Sequence, residues 1–213
     1  MKLAKKIMLT AIGGFAIIAA VIVFVSVFSA IGGLAHVGDI EPEYRGRAVA
    51  GYLGTMLACL IMAGALGFFG TLALIGGIKA LLGKEAPYGK KVGFLLGGYF
   101  AATVTATLFS MICWGNWGSW DLWLKLSFQS AGLALVLIAF FSKMSVKVKS
   151  ILLMAATGVG AFLCIFDWAL GGNSAFTVFI FLMVSTMGAL YVINTLLGDG
   201  SDPFEGKLID KAS

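Results

Sequence analysis

The chain has 213 residues, 60 % of them hydrophobic and 12 % charged, with a mean hydropathy of +1.01 and a net charge of +5. A soluble domain carries about a quarter charged residues. One core cannot hide this much apolar surface from water, so lipid is the expected solvent for much of it. The lysines are spread over short segments between apolar runs, a distribution that speaks for membrane topology and against nucleic acid.

In chain order, Met1 to Lys6 carries three lysines and leads into an apolar run from Ile7 to about Leu34. That run is about twice the length of a signal-peptide core, so it reads as an uncleaved first membrane helix. Six apolar stretches follow from the pattern, at about 7–34, 49–82, 92–113, 121–142, 149–170 and 174–197. Each supplies the roughly 20 residues needed to cross the hydrocarbon. The prediction is an all-α polytopic membrane protein with six transmembrane helices. They form one domain over 1–198, and a short polar tail occupies 199–213.

The first connection holds His36, Asp39, Glu41, Glu43, Arg45 and Arg47. Its carboxylates are close enough for a weak divalent-cation site, but a solvated acidic loop is the plainer reading and no metal centre is expected. The second stretch is too long for a perpendicular span, because 31 residues separate Arg47 from Lys79. It is expected to tilt or to extend into the cytoplasm. Gly64, Gly67 and Gly70 lie along it, with Gly76 and Gly77 further on, and Gly93 and Gly97 form a G-x-x-x-G at the start of the third helix. Such spacings let backbones approach closely, within this bundle or against a partner.

Four of the five tryptophans, Trp114, Trp117, Trp120 and Trp123, fall within ten residues between the third and fourth helices, and Trp168 ends the fifth. Indole favours the membrane boundary because the ring is apolar and its N–H needs a polar partner. Asp121 and Lys125 are four apart, so they share a helix face and can pair, with Asp167 joining if the fourth and fifth helices pack together. The centres of all six helices lack Asp, Glu, Lys and Arg, which argues against ion-coupled transport. Gln129 and Asn194 are the strongly polar groups at depth, with Thr103, Thr105, Thr107, Ser127 and Ser130 around them. Cys59, Cys113 and Cys164 form no C-x-x-C pair and read as buried small residues, with a Cys113–Cys164 disulfide left open.

Basic residues divide unevenly between the two sets of connections. Ten lysines (2, 5, 6, 79, 84, 90, 91, 143, 147 and 149) flank one side, against Arg45, Arg47 and Lys125 on the other. This positive-inside asymmetry predicts both termini in the cytoplasm, and the setting expected is a bacterial inner membrane.

The segment Trp114-Gly115-Asn116-Trp117-Gly118-Ser119-Trp120-Asp121 resembles the tryptophan-rich signature, approximately W-G-x-W-W-x-W-D, of the WWD haem-handling proteins of cytochrome c maturation. The smallest members of that family are similar in layout, with six helices and the signature between the third and fourth. The resemblance implies a haem-edge platform of Trp114, Trp117 and Trp120, with His36 as a ligand and Asp121 orienting the loop. The chain departs from the pattern at Gly118, in the continuation after Asp121, and in having no histidine between Asp167 and Asn173. The missing second ligand implies weak or absent haem binding.

Three functions remain open. The leading expectation is a non-catalytic subunit or accessory protein of a larger inner-membrane complex, without a cofactor. It would pack against other subunits or itself through Gly64, Gly67, Gly70, Gly93 and Gly97 and present Trp123, Trp168 and the rest of the tryptophan loop as contact surface. The second is the divergent haem-handling protein. The third is a small transporter for a neutral or apolar solute with Gln129 and Asn194 lining the path, which predicts a polar cavity reaching the membrane centre. No catalytic set such as Ser-His-Asp or H-E-x-x-H is present, so no enzyme is expected.

Overall fold

The computed structural model describes residues 2–84, 89–172 and 174–196; the polar tail expected over 199–213 lies outside them. Six helices make up the architecture among these residues: α1 (Lys2–Ala35), α2 (Pro42–Leu81), α3 (Gly89–Trp114), α4 (Trp120–Phe141), α5 (Val146–Ala169) and α6 (Ser174–Leu196). Each is long and apolar enough to cross a membrane. A single 3-10 turn, Val37–Asp39, joins α1 to α2. Proline stands at the first position of α2, where its missing N–H costs nothing. At the end opposite the termini, Gly115 and Gly171 take left-handed backbone (φ 67° and 83°) just after α3 and α5 stop. That conformation reverses the chain at little steric cost only for glycine.

Consecutive helices pack as neighbours, and α6 returns to α1, so the six form a closed ring. The centre of the ring is filled by Phe100, Tyr191, Met183 and Met187, all fully buried. Large apolar side chains such as Phe28, Phe68, Phe141 and Ile112 point outward over the flanks, as a lipid-facing surface requires.

The α1–α2 hairpin is the tightest seam. A Cβ on Gly13 would lie 2.6 Å from the Leu74 Cα, and one on Gly77 would lie 2.7 Å from the Thr10 backbone N. These two glycines therefore bring backbone against backbone. Of the glycines expected at interfaces, Gly70 meets Ala16 and Gly67 meets Ala20, both on α1, while Gly97 meets Val136 on α4. Gly93 is buried. Gly64 instead faces open space, so the chain's own packing leaves it unused.

The long α2 outruns its neighbour α3 at the tryptophan end. Gly51 lies under the Trp114 ring and Gly76 beside Lys91, so α3 spans α2 only between those levels. Residues 42–50, about 13 Å of helix at 1.5 Å per residue, project past the tryptophan end. The excess length thus sits away from the termini. Charged Glu43, Arg45 and Arg47 lie in that projection and are exposed. The Arg45 guanidinium donates to the carbonyls of Gly38 and Ile40 at 2.8 Å each, tying the projection to the first loop.

At the terminal end, Lys5 belongs to α1 rather than to a flank before it, and its side chain is 93 % buried, with a relative exposure of 7 %. Its Nζ donates to Asn194 Oδ1 at 3.2 Å, and Asn194 Nδ2 donates to Ser150 Oγ at 3.4 Å. This polar junction ties α1, α5 and α6 together.

Candidate functional site

The ring encloses a cavity of about 260 Å³ in its tryptophan-end half, with walls from α2, α3, α4, α5 and α6. Tyr99, Met62 and Ile180 lie among its deeper apolar contacts, and Phe100 closes the bundle beside them by packing on Gly132 of α4. Three polar lining residues, Thr107, Gln129 and Thr177, are buried. Gln129 is the tenth of α4's 22 residues, which puts polar chemistry at the middle of the bundle.

Thr107 Oγ1 donates to Gln129 Oε1 at 2.9 Å across the α3–α4 seam. That bond anchors the amide of Gln129 at the cavity wall. One turn above Gln129 on the same α4 face, Lys125 Nζ contacts Asp167 Oδ1 of α5 at 2.6 Å. The lysine side chain is 19 % exposed and the aspartate 43 %, so the pair sits at the cavity rim. Deeper, Tyr99 Oη and Cys164 Sγ approach to 3.8 Å.

The expected three-way cluster of Asp121, Lys125 and Asp167 is therefore narrower than predicted. Asp121 accepts from Ser119 Oγ at 2.5 Å, in the first turn of α4, and is not within ion-pair distance of Lys125. The long lysine reaches across to α5 instead of along its own helix. Asn194 also departs from expectation. It belongs to the Lys5 junction at the opposite end and does not line the cavity with Gln129. Of the hydroxyls expected around Gln129, Thr103 and Thr107 line the cavity, while Thr105 and Ser127 donate back to carbonyls of their own helices, at 2.8 Å each.

No family model, curated protein or solved structure matches this chain. Trp114 packs on Gly51 and meets Tyr52 edge-on at 5.9 Å. Trp117 pairs with Trp123, whose Nε1 donates to the Trp117 carbonyl at 2.8 Å, and Trp120 meets Phe166 edge-on. All five tryptophans, Trp168 included, are 38–67 % exposed at one end of the bundle. The three tryptophans of the W-G-x-W-x-x-W-D segment thus turn to three different partners. His36 is exposed in the first loop, its Nδ1 3.3 Å from Asp39 Oδ2. No group of three His, Cys, Asp or Glu residues suited to a metal occurs among the described residues.

All three cysteines are free thiols. Cys113 Sγ faces Gly54 on α2, whereas Cys164 faces Tyr99, so the disulfide left open by the sequence is not formed. Sequence reasoning missed Tyr99, Ser110, Cys164 and Thr177 as cavity residues. Nothing in their spacing separates them from ordinary packing groups; the ring closure places them together.

Proposed function

We propose that this protein binds a small polar solute in the central cavity, as a carrier or receptor of the bacterial inner membrane rather than as an enzyme. Both termini lie in the cytoplasm in this reading, and the cavity faces the outer side. The lysine asymmetry of the connections supports that orientation. The observation that carries the binding reading is Gln129, a mid-bundle amide that lines the cavity, is 7 % exposed and is fixed there by the bond from Thr107, with the Lys125–Asp167 pair at the rim of the same cavity. A cavity of about 260 Å³ has room for a small solute.

The test is a thermal-shift screen of small polar solutes against the protein in lipid nanodiscs, repeated with Gln129→Leu. A solute that stabilises the native chain and loses its effect in the variant supports the reading. A screen in which every stabilising solute acts equally on both proteins refutes it.

A second reading, a subunit of a larger membrane complex, draws on the exposed tryptophan end and the projecting first turns of α2, which together offer aromatic and charged contact area. Stoichiometric co-purification of another chain, lost on truncating residues 42–47, would favour it. The haem-handling reading has less to rest on, because its three tryptophans pack on three different partners, Tyr52, Trp123 and Phe166.

A further inference from the structure

Building on the cavity reading, we infer that the solute is a small zwitterion of amino-acid type, bound by opening the Lys125–Asp167 pair and replacing each partner. Lys125 and Asp167 are the charged side chains of the cavity wall, and the rest of its polar lining is neutral. The two charges stand on facing helices at the rim, 2.6 Å apart, with the lysine largely buried. An anion that takes Lys125 strips Asp167 of its partner, and a cation taking Asp167 strands Lys125. The stranded lysine, 19 % exposed, is the costly case, and Asp167, 43 % exposed, keeps part of its water; in both cases one charge loses a partner that nothing replaces. A neutral solute gains nothing by parting them. A zwitterion gives each side chain a new partner of the correct sign, so the wall remains balanced.

The geometry also orients the solute. Lys125 and Gln129 are four residues apart, so they stack on one face of α4, and both line the cavity. That wall offers an ammonium and an amide to the anionic end of the ligand. The facing wall offers the Asp167 carboxylate to its ammonium.

Four probes of nearly equal shape separate the charge classes: L-alanine (zwitterion), L-lactate (anion), L-alaninamide (cation) and L-lactamide (neutral). Their affinities are measured by titration calorimetry on the full chain in nanodiscs. L-alanine is expected to bind at least about tenfold tighter than each of the others, a difference of about 1.4 kcal/mol. Lys125→Met should shift the preference to L-alaninamide, and Asp167→Asn should shift it to L-lactate. Those opposite shifts would not follow from a role confined to holding α4 against α5. L-lactamide binding as tightly as L-alanine, or no binding of L-alanine, overturns the zwitterion inference. The cavity reading then stands or falls separately on the Gln129→Leu screen.

Discussion

Gly13 and Gly14 are adjacent on α1, yet the structure assigns them opposite responses to the same substitution. A Cβ on Gly13 would sit 2.6 Å from the Leu74 Cα and 2.7 Å from its Cβ, whereas a Cβ on Gly14 meets nothing within 4 Å. Non-bonded carbons rest at about 3.5–4.0 Å, so Gly13→Ala must push α1 and α2 apart by about 1 Å. The same seam holds Gly70 against Ala16, where a Cβ would lie 2.8 Å from the alanine Cβ, and Gly77 against Thr10. Separation at one point therefore loosens contacts along the hairpin. Overpacking of this kind costs about 1–3 kcal/mol. Alanine also favours helix over glycine by about 0.5–1 kcal/mol, so Gly14→Ala should be neutral to stabilising. Gly13→Ala gains the same propensity, so the two neighbours should differ by the overpacking alone, about 1–3 kcal/mol. The assay is equilibrium unfolding by dodecyl sulfate in mixed micelles, followed by helicity. Equal midpoints for the two variants would refute the backbone contact between α1 and α2.

Three further outcomes are expected. Gly132→Ala drives a methyl into the Phe100 ring, 2.8 Å from its Cδ1, and should destabilise by about 1–3 kcal/mol; adding Phe100→Leu should recover part of the loss, and failure of that rescue counts against the ring–glycine contact. A double-mutant cycle of Lys125→Ala and Asp167→Ala should give a coupling of about 1 kcal/mol, modest because Asp167 is 43 % exposed, and it should shrink as salt rises. In a cysteine-free background, Asn116→Cys should react with a membrane-impermeant maleimide added to intact spheroplasts and Lys147→Cys should not; the reverse pattern would invert the proposed orientation.

Element boundaries were legible in the sequence to within a few residues for four of the six helices. A membrane helix is specified by an uninterrupted apolar run and its polar ends, both of which are local. The second helix begins seven residues before its predicted start at 49, because Pro42 and the charged turn after it form helix outside the apolar run. Hydropathy carries no signal for a helix that continues into water. The first helix likewise absorbs Lys5, whose charge marks a flank in sequence but whose long stem reaches Asn194 inside the bundle.

What the sequence determined by itself is the solvent: composition and the lengths of the apolar runs give this chain six helices suited to a membrane whatever those helices touch. Tertiary structure decided which polar residues share a space. Gln129, midway along α4, lines a cavity with residues of four other helices, and Asn194, near the end of α6, joins Lys5 of α1 and Ser150 of α5 in a junction at the opposite end. Helix order around the ring and the rotation of each helix set that difference. Both arise from contacts between residues far apart in the chain, such as Gly13 with Leu74 and Phe100 with Gly132. Van der Waals fit between distant small and large side chains fixes those contacts, and no local pattern encodes it.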